Sequence, residues 1–316
     1  MNAYQDPKLK EILGQRVDSS LLQKRFQKET TKEKKVTDRA KKFFFNENRF
    51  SFRSLFRSAL KVTGLLERGR RNALNLQVTG NEVWIPKLPI AFDGYRILHL
   101  SDMHLDANAG LAGAMQDTLA DIEYDICLIS GDFRARSFGP IDACLRQFQQ
   151  IRPLIKTDVY ATLGNHDSIL MVPGLEAMGV KLLLNESVRI EKSGHGLSLV
   201  GIDDPHYFQG DDLVKACGDI VPGERTVLLV HSPEVIPMAS KMGVDLYLCG
   251  HTHGGQICLP GGFPIVSNSR SSRRFSAGAW QYREMQGYTS RGSGVSIVDV
   301  RFNCPPEITV HTLRSS

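Results

Sequence analysis

Five short apolar runs in this chain all end in residues that bind metals or phosphate. YRILHL leads into Ser101-Asp102-Met103-His104, DICLIS into Gly131-Asp132 and DVYATL into Gly164-Asn165-His166-Asp167. TVLLV leads into His231, and DLYLC into Gly250-His251-Thr252-His253. Apolar runs of roughly four to eight residues, bounded by turn residues, read as buried strands. Helix-like stretches lie around them at 111–122, 140–151, 172–178, 211–217 and 233–241. Strands alternating with helices specify an α/β fold. Further strands are expected at 197–202, 295–300 and 308–313, with two more around a Thr79-Gly80-Asn81 turn. No helix separates the last two strands, so the sheet is expected to be mixed.

The strand ends carry the chemistry, because an α/β chain presents its ligand-binding residues where strands leave the sheet. Residues two apart on extended backbone point the same way, so Asp102 and His104 are expected to face one ion together. Carboxylates and imidazoles that converge would repel or desolvate one another without a cation between them. Mixed nitrogen and oxygen ligands suit manganese, iron or zinc and suit calcium poorly. Taken singly, DxH or GD reads as an ordinary turn; the order DxH, GD, GNHD, H, GHTH is what carries the signal.

That order resembles the calcineurin-like metallophosphoesterase family, over about residue 88 to the C-terminus. The resemblance implies two mixed sheets packed as a sandwich, flanked by helices, with a dinuclear metal site at the strand ends. It implies that Asp102, His104 and His253 hold one divalent ion, that Asn165, His231 and His251 hold the other, and that Asp132 bridges them. His166 would touch the phosphate or the leaving group, with Asp167 orienting its ring. The activity implied is phosphodiester or pyrophosphate hydrolysis by in-line attack of a hydroxide formed between the ions. GHTHGGQ, Asn185-Glu186, VGIDDP, SRGSG and NCPPEITVHTL resemble the bacterial branch with membrane-associated phosphodiesterases and UDP-2,3-diacylglucosamine hydrolases. One departure is Phe-Arg-Ala-Arg after Gly131-Asp132, where many members carry a second acidic residue.

Charge divides the chain. Residues 1–71 hold 19 Lys and Arg against 8 Asp and Glu, a net +11, while the remainder holds 20 against 26, a net −6. Three units are expected: a loosely ordered basic segment at 1–40, a basic amphipathic segment at 41–73 and the phosphoesterase domain at 74–316. Phe52, Leu55, Phe56, Ala59, Thr63 and Leu66 fall at helical spacing with Arg53, Arg57 and Lys61 between them. A basic helix of this kind, at 41–71, is the pattern of peripheral contact with an anionic membrane; packing of its apolar face on the body is the competing expectation. Six scattered cysteines, no CxxC pair and no apolar run of spanning length point to a reduced, cytoplasmic chain that meets the inner face of the membrane at its surface. Two other functions compete: a nuclease or nucleotide phosphodiesterase of the same fold, and a non-catalytic scaffold. An acidic body disfavours nucleic acid in the cleft. Occupancy of all seven ligand positions and of His166 disfavours the scaffold.

Overall fold

The computed structural model describes Tyr4 and residues 7–43, 52–108, 110–265 and 269–316. The chain opens with four helices: α1 (Pro7–Gly14), α2 (Ser19–Phe43), α3 (Phe52–Val62) and α4 (Leu65–Leu74). Strand β1 (Gln77–Ile85) follows, then β2 (Arg96–Leu100), α5 (Leu111–Leu119), β3 (Ile126–Ile129), α6 (Asp142–Ile151), β4 (Val159–Ala161), α7 (Val172–Ala177) and β5 (Val180–Leu182). The second half runs β6 (Glu186–Lys192), β7 (His195–Gly201), α8 (Leu213–Ala216), β8 (Arg225–Leu229), α9 (Ile236–Lys241) and β9 (Leu246–Cys249). It ends with β10 (Cys258–Leu259), β11 (Phe263–Pro264), β12 (Gly278–Tyr282), β13 (Met285–Thr289) and β14 (Glu307–Ser315).

Two six-stranded sheets form, ordered β1-β14-β2-β3-β4-β5 and β12-β13-β9-β8-β7-β6. Both are mixed: β14 runs antiparallel to β2, and β6 and β12 run antiparallel to β7 and β13, while the central strands are parallel. Strand alternation sends successive side chains to opposite faces. Ile97, Leu128, Leu199, Leu229 and Leu248 therefore meet between the sheets. Leu98, Cys127, Ile129 and Ala161 face outward under α5, α6 and α7, and Leu228, Tyr247 and Cys249 pack under α8 and α9. The strands are buried on both faces, which is why their sequences read as unbroken apolar runs.

Several local expectations change. Residues 77–85 form one strand with no turn at Gly80, because β14 gives β1 a nine-residue parallel ladder. Thr79 and Asn81 side chains also bond Glu307 and His311 on that neighbour. Residues 295–300 are not a strand. They form a loop whose carbonyls at Ser296, Val298 and Val300 accept from Gln256 Nε2 at 2.8–3.1 Å. The helix expected across residues 52–66 is two, broken at Gly64 with φ +72°, a conformation glycine adopts without penalty.

The largest correction concerns the basic head. Residues 1–40 are not loosely ordered throughout, since α1 and α2 are helices and the described part packs on the body. Leu9, Leu13, Val17 and Leu22 join the core over the outer face of β2–β4. Arg25 and Glu29 are buried as a pair at 3.1 Å. Arg25 also pairs with Asp203, donates to the Asp167 carbonyl at 3.0 Å and lies 4.0 Å over the Phe208 ring. Helices α3 and α4 pack Phe56, Leu60 and Leu66 on Val298, Val300 and Phe302. Arg70 binds Asp299 at 2.7 Å. Phe44, Phe45 and Phe50 of the amphipathic segment lie outside the described residues. Among the described residues, no helix is long and apolar enough to cross a membrane.

Candidate metal centre

The C-terminal ends of β2, β3, β4, β8 and β9 lie side by side, and each delivers its polar residue to one place. Backbone bonds lock the loops together: Asp102 N–H donates to Gly131 O and His104 N–H to Asp132 O, both at 3.0 Å, while Gly250 N–H donates to His231 O at 2.9 Å. The local backbone is not the extended one the sequence suggests. Asp102, His104, Asp132, His251 and His253 all have positive φ, between 45° and 73°. Non-glycine residues rarely adopt this region, and strain of this kind gathers at functional sites. The left-handed turns still aim both Asp102 and His104 inward. Gly164 lets the loops close up, since a Cβ there would stand 2.2 Å from Asp132 Oδ1.

The donor atoms fall into two groups that meet at Asp132. In the first, His104 Nε2 lies 3.0 Å from His253 Nε2 and 3.6 Å from Asp132 Oδ2, and His253 Nε2 lies 3.5 Å from Asp102 Oδ1. In the second, His231 Nε2 lies 3.3 Å from Asp132 Oδ2, 2.9 Å from Asn165 Oδ1 and 3.3 Å from His251 Nδ1. Groupings of these side chains are close enough to share an ion. The imidazoles are oriented from behind, as metal-ligating histidines usually are. His104 Nδ1 donates to Arg134 O and His231 Nδ1 to Ser130 O, both at 2.8 Å, which turns each Nε2 inward.

The electrostatics suit a cation at this place. Burial pushes His104 down to about 4 and His251 down to about 3, so both are neutral imidazoles at neutral pH. Burial also holds His253 well below the usual imidazole range and lifts Asp102 to about 6. At the centre the balance reverses. Burial opposes charge on His231 and Asp132, but their mutual attraction outweighs it, holding His231 well above and Asp132 well below their ordinary values. A cation among the same atoms would offset the carboxylate charge that His231 otherwise faces.

His166 is half-buried beside this cluster, its ring 5.0 Å from that of His104. Its Nδ1 donates to Ala135 O at 2.6 Å, and its N–H donates to Asp132 Oδ1 at 2.8 Å. Asp167 does not orient that ring. Its buried carboxylate accepts from the backbone N–H groups of Asp132 (2.8 Å), Gly164 (2.9 Å) and Arg134 (3.1 Å), bracing the loops that carry Asp132 and Asn165. Arg134 is likewise structural, donating to the carbonyls of His166 and Gly139 at 3.0 Å.

Sequence reasoning missed three neighbours. Buried Arg301 lies 3.4 Å from His253 Nδ1 and ties together the carbonyls of Arg291, Gly292 and Gly294. His206 sets its ring 4.1 Å from that of His251 and bonds Glu234 at 2.8 Å. Glu29 accepts from Ser168 Oγ at 2.5 Å and Ile169 N–H at 3.0 Å, just past the GNHD turn. None sits in a spaced motif; only the DDP sequence before His206 gave a hint.

A family model described as calcineurin-like phosphoesterase matches residues 95–255, which span all the candidate ligands. An uncharacterized metallophosphoesterase of Bacillus subtilis, YkoQ, is 30% identical over 227 residues, covering 69% of this chain and 83% of its own length. The phosphodiesterase YaeI of Escherichia coli is 28% identical, covering 68% of this chain and 81% of its own. A bovine transmembrane protein with metallophosphoesterase domain is 30% identical over 82% of this chain, which spans 61% of that protein.

Proposed function

This chain belongs to the calcineurin-like phosphoesterase family and is a phosphoric ester hydrolase, and from that premise we propose that Asp102, His104, Asp132, Asn165, His231, His251 and His253 hold two divalent ions for hydrolysis of a phosphodiester or pyrophosphate bond. One observation carries the reading: two groups of inward-facing nitrogen and oxygen atoms meet at the buried carboxylate of Asp132. The donor set fits manganese, iron or zinc. Bound there, divalent ions would supply Lewis-acid charge and lower the pKa of a water toward neutrality.

The chain's own residues do the rest. Asp102, His104 and His253 would hold one ion and Asn165, His231 and His251 the other, with Asp132 between the two groups. The carbonyls of Arg134 and Ser130 fix the tautomers of His104 and His231. Ala135 O accepts from Nδ1 of His166, so Nε2 faces the site; in the imidazolium form Nε2–H is the donor that binds a phosphoryl oxygen or passes its proton to the leaving oxygen. Asp167 positions Asp132 and Asn165 through the backbone.

The reading extends to a lipid-linked substrate, with UDP-2,3-diacylglucosamine as the named candidate, and to peripheral contact of α3 with an anionic membrane. Exposed Arg57 and Lys61 on α3, with Val62 exposed to 87%, support that contact. The test is hydrolysis of bis-p-nitrophenyl phosphate after chelator stripping and Mn²⁺ addition, followed by a panel of nucleotides, cyclic nucleotides, UDP-diacylglucosamine and phospholipids. Metal-dependent turnover that is lost in Asp132→Ala is expected. Turnover that persists unchanged in Asp132→Ala and in chelator would refute the site.

A further inference from the structure

We propose that a cleft adjoining the candidate metal centre binds the apolar arm of the substrate, making the physiological ester one that carries an alkyl or acyl chain on the group beside the scissile phosphate. The inference rests on the hydrolytic reading above and goes beyond it by assigning a binding site and the residues that select for chain length. The cleft has a volume of about 360 Å³, within the ordinary range for small-molecule sites. One end is polar, formed by Asp132, His166, His251 and His253. The other is apolar, formed by Phe56, Ile257, Ile265, Ile297 and Val298. These walls come from three separate stretches of chain: α3, the residues flanking the β10–β11 hairpin, and the loop after Gly294.

Ile297 is the informative residue. Its φ is +61°, which a β-branched side chain adopts only under strain, and it is 71% exposed. Neither fact favours folding, because Asn or Gly would suit that backbone better and a polar residue that exposure. The strained loop is nonetheless held firmly. Gln256 accepts from Ser296 N–H at 2.7 Å through Oε1, and its Nε2 donates to the carbonyls of Ser296, Val298 and Val300. Gln256 lies three residues beyond His253, so one turn carries a candidate metal ligand and the anchor of the apolar wall. Ile265 repeats the pattern at 55% exposure, and Leu259 and Phe263 on the hairpin continue the apolar surface outward at 56% and 69%. A ligand whose phosphate sits at the polar end and whose chain lies along Ile265 and Ile297 covers these side chains.

Burying one methylene strengthens binding about fourfold, so chain length is the variable to read. The experiment uses full-length protein with Mn²⁺ and p-nitrophenyl phosphodiesters whose second ester group is methyl, butyl or octyl. The expected result is a kcat/KM that climbs at least tenfold from methyl to octyl, with Ile297→Asn and Ile265→Ser each reducing the octyl-to-methyl ratio. Calorimetric binding of methyl- and octylphosphonate to the Mn²⁺ protein provides a second reading that needs no turnover, and octylphosphonate should bind at least tenfold tighter. Equal values across both series, in a protein that hydrolyses the methyl ester, would overturn the apolar cleft and leave the hydrolytic reading standing. Failure to hydrolyse any ester with any divalent metal would overturn the hydrolytic reading itself; equal phosphonate affinities would then remove the cleft as well.

Discussion

Arg25→Met tests how the N-terminal helices are held. Arg25, Glu29 and Asp203 have side chains only 2%, 4% and 6% exposed. Removing the guanidinium leaves two buried carboxylates without their cation, and breaking a buried pair in this way costs roughly 3–5 kcal/mol. Methionine fills most of the volume over Phe208, so the loss is mainly electrostatic. If α2 unfolds with the body, the unfolding entropy of a 316-residue chain turns that cost into a drop of about 5–8 °C in melting temperature. If α2 detaches first, the cost appears as local opening. Native-state hydrogen exchange covers both cases: protection over residues 19–31 should fall by at least about a hundredfold. Adding Asp203→Asn should recover part of the loss, because one stranded charge is removed; a double-mutant cycle measures that coupling. Unchanged exchange and melting in Arg25→Met would show that this ion cluster does not hold α2, and the loosely ordered head expected from composition would be restored.

Further predictions follow from the same contacts. His166→Gln should lower the rate by roughly 10²–10⁴ while leaving metal content unchanged, because the ring acts on substrate; loss of metal by mass spectrometry would make it a ligand instead. Asp167→Asn should weaken metal affinity, since the Asp167 carboxylate braces the loops of Asp132 and Asn165 through backbone N–H groups; Mn²⁺ affinity equal to wild type by calorimetry would contradict that role. Gly69→Leu should loosen α4, because even a Cβ there would stand 2.6 Å from Val300 Cβ; protease resistance of residues 65–74 equal to wild type would contradict the packing. His99 is buried and held down to about 3. Its folded value is depressed below the unfolded value of about 6.5, so it contributes stability above pH 6.5 that is lost as pH falls toward 3. Between pH 7 and 5 this amounts to about 2 kcal/mol, and His99→Gln should shrink the fall in urea midpoint over that window. An identical fall in the variant would refute the assignment.

The sequence made the candidate centre legible because every strand that carries a candidate ligand is central, with a neighbour on each side. Such strands are apolar on both faces, so β2, β3, β4, β8 and β9 each end visibly where a polar residue begins. The head was misread for a complementary reason. Lys and Arg in a polar stretch ordinarily mean a solvated surface, and nothing near Arg25 announces a partner 178 residues away at Asp203. The loop at 295–300 reads as a strand, since Val295, Val298 and Val300 have strand propensity, but Gln256 takes the carbonyls a ladder would need. Thr79-Gly80-Asn81 reads as a turn until β14, more than 220 residues later, supplies a full-length neighbour. The left-handed backbone at Asp102, His104 and His251 has no sequence signature, because its strain is stabilised by the packing of five loops against one another.

The central claim is that seven side chains hold two ions about Asp132. Its most direct test is the metal-to-protein ratio of purified chain, stripped, reloaded with Mn²⁺ and dialysed, in wild type and Asp132→Ala. The account predicts about two ions per chain in the wild type and fewer than one in the variant. A wild-type ratio near zero, or a ratio near two that Asp132→Ala leaves untouched, would contradict it.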